Sequence, residues 1–265
     1  IIVQNLDSMM NMVNDGIGDG IISAHPLTYI KKEYTINDLA PILYLAIKLE
    51  GKKATKDYRH VVIDEAQDYS PLQFKIVREL TGTKYFTVVG DVNQRLIKYS
   101  DLAPMMELGK IFDDVNPEIY NLNKSYRSTY EIMEYANKFL EEEKIVPLVR
   151  RGEPVMEEEV FDESEFIDTV ISIIEDYEED NCENIAVIFK GRNELRKYAP
   201  LIKERISIQN LDNEESIYKG GKVLIPAYLA KGLEFDGAII IEEDERQPLI
   251  KYIMCTRALH RLAVI

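Results

Sequence analysis

Residues 60 to 70 read HVVIDEAQDYS, in which the apolar residues Val61 to Ile63 give way at once to Asp64 and Glu65, with Asp68 close behind. A short β-branched run of this kind reads as a buried strand. The stretch KYFTVVGD, residues 84–91, has the same form. Between the two lies SPLQFKIVREL, residues 70–80, with apolar residues at helical spacing and Ser70 and Pro71 placed as N-cap and first-turn residue. Strand, helix, strand at this spacing predicts two parallel strands joined by a crossover helix. In such sheets ligands gather at the carboxyl ends of the strands, where these acids fall. An Asp there can hold a hydrated magnesium ion, and a Glu beside it can orient or deprotonate a water. Hard oxygen ligands of this type suit a magnesium nucleotide.

The same alternation continues along the chain. Strands are expected at EIYNL (118–122), PVMEEEVF (154–161), NIAVIF (184–189), KVLIPA (222–227) and GAIII (237–241). Helices are expected at STYEIMEYANKFLEEE (128–143), SEFIDTVISIIEDYEE (164–179) and RNELRKYAPLIKER (192–205), with a closing helix that includes RLAVI (261–265). Strands separated by helices predict an α/β fold with parallel sheets covered on both faces. Two sheets fit better than one, with a break in the polar stretch DDVNPE, residues 113–118. Residues 1–58 read as mostly helical and include TINDLAPILYLAIKLEG, which Gly51 would end.

Composition bounds the function. A chain of 265 residues with 46% hydrophobic residues can bury a substantial core. Its net charge of −15 is the wrong sign for a surface that holds nucleic acid over its whole extent, so any such contact is expected to be local. Acidic surplus collects in residues 141–144, 156–168 and 175–183; solvated helix faces explain it, and a docking surface for a basic partner is the sharper alternative. Cys182 and Cys255 form no C-x-x-C pair, so neither a disulfide framework nor a zinc site is indicated and a reducing, cytoplasmic setting is expected. No apolar run reaches the roughly 18 to 20 residues of a membrane span, and the opening residues lack the pattern of a signal peptide. The chain starts without methionine and reads as a monomeric fragment of something longer.

The motifs together carry a resemblance. VIDEAQDYSPLQ resembles motif II of the UvrD/Rep branch of superfamily 1 helicases, and VVGDVNQ (88–94) resembles motif III. NKSYRST (123–129), AKGLEFD (230–236) and YIMCTRALHRL (252–262) resemble motifs IV, V and VI, in the family's order. The spellings IPAYLAKGLEFD and CTRALH, with INDLAPILYL upstream, are most similar to the HelD-type subgroup that associates with bacterial RNA polymerase. The resemblance implies P-loop NTPase lobes of the RecA-like kind, the first incomplete over residues 1–117 and the second over 118–265, with ATP and Mg2+ as ligands. It implies that Asp64 and Glu65 hold the metal and act in catalysis with Gln94, Arg127 and Arg257. By the same resemblance Gln67, Tyr126, Gly232 and Glu234 bind the nucleotide: Tyr126 stacks on adenine, and Glu234 takes the ribose. The arginines would neutralise charge on the terminal phosphate, and either one alone would pass for an ordinary surface arginine. Tyr99 and Tyr228 stand where the family contacts single-stranded DNA.

Three departures matter. Pro226, Ala227 and Tyr228 stand where the family has T-x-H before motif V, which puts the usual DNA path in doubt. Only residues 206–221 separate the preceding helix from motif V, so the family's large accessory insertion is missing. The phosphate-cradling pattern G-x-x-x-x-G-K-S/T is absent from these residues. The expected function is therefore the C-terminal motor portion of an ATP-dependent helicase or translocase, acting on DNA or remodelling RNA polymerase and inactive by itself. The alternative is a non-hydrolysing adaptor that binds polymerase or DNA.

Overall fold

A computed structural model describes residues 36–51, 58–95, 102–112, 114, 116–140, 144–147, 150–213, 215–242 and 247–265. The chain divides into two compact units, Ile1–Ile119 and Tyr120–Ile265. The residues before Ile36, read as mostly helical, lie outside the described ones.

In the first unit, helix α1 (Ile36–Glu50) ends at Gly51, whose φ of +81° allows its N–H to reach the Ile47 carbonyl at 3.0 Å. Strand β1 (Val61–Ile63) follows. Helix α2 (Pro71–Thr81) starts at a capping box in which Ser70 Oγ accepts from Gln73 N at 3.3 Å and Gln73 Oε1 accepts from Ser70 N at 2.7 Å. Strand β2 (Phe86–Val88) pairs with β1 in parallel, Ile63 opposite Val88. Val61, Ile63, Ala66 and Phe74 form a core with Leu108 of the short helix α3 (Leu108–Ile111) and with Phe112. The far side of α2 packs on α1 through Ile76, Leu80 and Ile47.

The second unit opens on β3 (Lys124–Ser125), α4 (Tyr130–Ala136), β4 (Val146–Pro147) and β5 (Met156–Glu157). Then come α5 (Glu163–Glu179), β6 (Ile185–Phe189), α6 (Arg192–Arg205), β7 (Gln209–Asn210) and β8 (Lys222–Pro226). The short α7 (Ala227–Ala230), β9 (Phe235–Ile241), α8 (Pro248–Cys255) and β10 (Ala258–Val264) complete it. Six strands form one wholly parallel sheet in the order β5-β10-β9-β6-β8-β7, while β3 and β4 pair separately. Val187 and Phe189 pack on α5 and α6. By the period of two, Ala186 and Ile188 turn to the other face, where α7 and α8 contact the sheet. Every residue of β6 is buried, as a central parallel strand covered on both faces requires. The α/β class and the parallel sheets thus agree with the sequence reading; the central strand β6 is covered on both faces as expected, whereas in the first sheet Val62 and Thr87 are exposed.

Four elements differ from it. EIYNL is not a strand: ladder pairing starts only at Lys124, and Ile119 and Leu122 are exposed instead of feeding a core. PVMEEEVF keeps only Met156–Glu157 as an edge strand. The helix expected to run to residue 143 stops at Ala136 and closes with a 3-10 turn at Asn137–Phe139. There the Asn137 side chain grips Ile145, Nδ2 donating to its carbonyl at 2.7 Å and Oδ1 accepting from its N–H at 3.0 Å. RLAVI is not helical; it ends β10, which lies between β5 and β9 with Leu262, Ala263 and Val264 buried.

One close approach holds the sheet against α5. A Cβ placed on Gly237 would lie 2.4 Å from Cδ2 of Tyr177, so the tyrosine ring occupies the space a side chain would fill. Arg261 covers that ring at 5.0 Å, yet the buried Tyr177 hydroxyl has no hydrogen-bond partner among the described residues. Gly237→Ala should therefore cost about 1–3 kcal/mol in urea unfolding through overpacking. Tyr177→Phe, which removes only the unpartnered hydroxyl, should be neutral or slightly stabilising in the same measurement.

Candidate functional site

The polar loops that follow β1 and β2 meet at the carboxyl end of the first sheet. Beyond the paired strands, Val89 N donates to Ile63 O at 2.8 Å and Ala66 N to Val89 O at 3.0 Å, which brings residues 64–68 against residues 89–94. Asp64 and Glu65 are exposed, and Asp64 Oδ1 accepts from Glu65 N at 2.8 Å. Glu65 adopts a left-handed backbone (φ +51°, ψ +36°), a conformation that L side chains rarely take and that concentrates at functional sites.

A run of hydrogen bonds then crosses between the two loops. Gln67, fully buried, donates from Nε2 to Glu65 Oε2 at 2.6 Å and accepts at Oε1 from Asp91 N at 3.1 Å. Asp91 Oδ2 accepts from Gln94 Nε2 at 2.9 Å, and its Oδ1 accepts from Asn93 N at 2.9 Å. Both ends of the buried amide are satisfied, so Gln67 transmits the position of one loop to the other. The approach depends on Gly90, because a Cβ there would lie 2.4 Å from Gln67 Oε1 and 3.1 Å from Ala66 N. Asp64, Glu65, Gln67 and Gln94 are thereby brought together. Asp91 joins them although the sequence reading gave it no role; its place inside VVGDVNQ was the available signal.

In the second unit, a separate cluster gathers residues from three distant stretches. Arg127 Nε lies 2.9 Å from Glu234 Oε1. The backbone of residues 127–128 is pinned to β10: Ser128 Oγ donates to Ala258 O at 2.6 Å, and Arg150 Nη2 donates to Arg127 O at 2.6 Å and Leu259 O at 2.9 Å. Arg257 is 1% exposed, with Nε donating to Ile253 O at 3.0 Å, Nη1 to Leu233 O at 3.3 Å and Nη2 to Thr256 Oγ1 at 3.2 Å. Gly232 has a φ of +80° in the turn that carries Leu233 and Glu234, and Tyr126 projects into solvent at 70% exposure. Cys255, next in line on α8, is fully buried, and burial pushes its thiol far above the ordinary range, so it serves as a neutral packing group.

The remaining two predicted residues fall elsewhere. Tyr228 lies just past β8, where its hydroxyl accepts from Arg192 Nη2 at 2.6 Å and its ring faces that guanidinium at 5.8 Å. Arg192 begins α6 just past β6, so the pair spans the carboxyl ends of adjacent strands. The sequence reading passed over Arg192. Tyr99 lies outside the described residues.

The donor set suits magnesium by its chemistry. Asp64 and Glu65 offer exposed carboxylate oxygens, hard ligands for a hard cation. Among the described residues no group of three or more His, Cys, Asp or Glu side chains forms a cage.

Residues 28–101 match the family described as the UvrD/REP helicase N-terminal domain. The chain is 33% identical over 114 residues to a probable DNA helicase II homolog of Mycoplasma capricolum, covering 41% of this chain and 16% of that protein. It is 27% identical over 177 residues to DNA helicase II of Haemophilus influenzae, covering 60% of this chain and 24% of that protein. A solved C-terminal domain of a possible DNA helicase from Lactobacillus plantarum WCFS1 superposes with a TM-score of 0.45 at 24% identity, over 53% of this chain and 86% of that one. The chain thus spans less than a quarter of the length of these two helicase II relatives.

Proposed function

We propose that this chain is the motor portion of an ATP-dependent superfamily 1 helicase or translocase that works on single-stranded DNA. The observation that carries the reading is the run Glu65, Gln67, Asp91, Gln94, which links the ends of two parallel strands through a buried amide. Such a run aims a carboxylate and a glutamine from one sheet edge, as hydrolysis of a terminal phosphate needs. Glu65 serves as the base or orienting group for water, its carboxylate fixed by Gln67 Nε2. Gln94, held by Asp91, faces the terminal phosphate. Asp64 and Glu65 would hold magnesium, which when bound supplies charge neutralisation on the phosphates. Arg127 and Arg257 add positive charge as the terminal phosphate leaves, Tyr126 stacks on the base and Glu234 accepts from the ribose. Gly232 gives the turn that delivers Glu234. DNA contact involves Tyr228 and Tyr99.

The names of the relatives support the helicase reading, among them the ATP-dependent DNA helicase UvrD2 of Mycobacterium tuberculosis, 30% identical over 107 residues. Remodelling of RNA polymerase is the finer proposal, resting on the HelD-like spellings in motifs V and VI. The test is DNA-stimulated ATP hydrolysis by a protein in which this chain is joined to a phosphate loop. Glu65→Gln should lower turnover by about 10²–10⁴ with nucleotide binding retained. Arg127→Ala should lower it by on the order of 10³–10⁵, and Lys should rescue poorly because it lacks the planar fork. No DNA-stimulated turnover in the unsubstituted protein would favour the adaptor, and unchanged turnover in both variants would show that Glu65 and Arg127 are not the groups that act.

Gly90 offers a second, activity-independent check. Gly90→Ala should push Gln67 off Asp91 and speed exchange of the Asp91 amide hydrogen by about two- to tenfold, the equivalent of one net hydrogen bond. Turnover should fall in step. Unchanged exchange would mean that the buried amide does not couple the two loops.

A further inference from the structure

Glu234 and Arg127 hold separate assignments under the proposed function, one for a ribose hydroxyl and one for a phosphate, yet in the structure they hold each other. Glu234 Oε1 lies 2.9 Å from Arg127 Nε, and both side chains are roughly half exposed (42% and 48%). Both partners sit on tethered backbone. Arg150 and Ser128 pin residues 127–128 to the start of β10. On the other side, Leu233 N donates to Ala230 O at 3.0 Å, Gly232 turns the chain at positive φ, and Leu233 O accepts from the buried Arg257. The contact is thus mounted from both ends, unlike a pair of long surface side chains that meet by chance.

A carboxylate at Nε occupies one of the planar N–H donors that a phosphate oxygen could use and neutralises the charge that would attract it. We propose that Glu234 is an internal competitor for the anion that Arg127 binds, kept in place by Arg257 through the Leu233 carbonyl. Anion binding then exchanges a carboxylate for a phosphate on Arg127, and the same exchange frees Glu234 for a hydroxyl donor. Arg257 acts here as a positioning residue on the turn. The naming of the anion as a phosphate rests on the proposed function; the competition itself rests on the ion pair. Because solvent screens a half-exposed pair, the competitor should weaken anion binding by only about two- to fivefold.

Inorganic tripolyphosphate, which has neither base nor ribose, is the probe. It is titrated into the full chain by calorimetry, and the Arg127 Nε–H is followed by NMR after arginine labelling, its signal assigned by its loss in Arg127→Lys. Glu234→Gln should tighten tripolyphosphate binding about two- to fivefold and should move the Arg127 signal before any ligand is added. Arg257→Lys, which keeps the charge but loses the fork that holds Leu233, should move the Arg127 signal in the same direction by less before any ligand is added. In an Arg127→Ala background, Glu234→Gln should have no effect on affinity. Unchanged or weaker binding by Glu234→Gln, or no tripolyphosphate binding by either protein, would overturn the proposal. ATP is titrated separately: failure of ATP to bind or turn over counts against the nucleotide reading and leaves the tripolyphosphate comparison standing.

Discussion

Two main-chain hydrogen bonds, from Val89 N to Ile63 O and from Ala66 N to Val89 O, fix everything downstream of them in the first unit. They extend the parallel register of β1 and β2 past the last paired residues, Ile63 and Val88. Parallel strands end on the same side, so any polar residue that follows either strand is delivered to one edge. Asp64 and Glu65 arrive from one loop, and Asp91 and Gln94 from the other. A slip of one residue would turn the buried Val61 and Ile63 outward and separate these groups, so the hydrophobic pattern that specifies the core also specifies the site.

Gln67 is where this geometry becomes chemistry. A buried amide costs free energy unless its donors and acceptors are met, and here one end meets Glu65 while the other meets the Asp91 amide. The arrangement constrains Glu65, which is held in a left-handed backbone with its carboxylate aimed by its neighbour two positions on. Strain of this kind costs on the order of 1–3 kcal/mol and persists only where surrounding contacts over-determine it. Gly90 completes the constraint by leaving room for the amide, since any side chain there would collide with it.

Much of the fold was legible because the periodicities were strong. Helix α6 spans the residues of RNELRKYAPLIKER, and the capping box at Ser70 is visible as S-P-L-Q before an apolar run. The misreadings share a cause: each depended on a partner outside the element itself. Asn137 ends its helix by gripping Ile145, RLAVI becomes a strand because β9 and β5 flank it, and EIYNL has strand-forming residues without the ladder that would make it one. The site was legible in the same uneven way. Motif spelling pointed to Asp64, Glu65, Gln67 and Gln94, which the fold brings together, but no pattern in one sequence could show that Arg192 would meet Tyr228 or that Arg257 would be buried.

Burial of Arg257 changes what an arginine at that position can mean. A guanidinium removed from water needs acceptors, and these come from carbonyls at the end of α8 and in the turn before β9, with a neighbouring hydroxyl. Because Leu233 is one of those acceptors, Arg257 also anchors the turn that carries Glu234. Glu234 in turn holds Arg127, whose backbone is fastened to β10 by Arg150 and Ser128. Each charged group in this cluster is therefore both a candidate ligand contact and a support for another. A ligand that took Arg127 or Glu234 would have to displace the other from the ion pair between them.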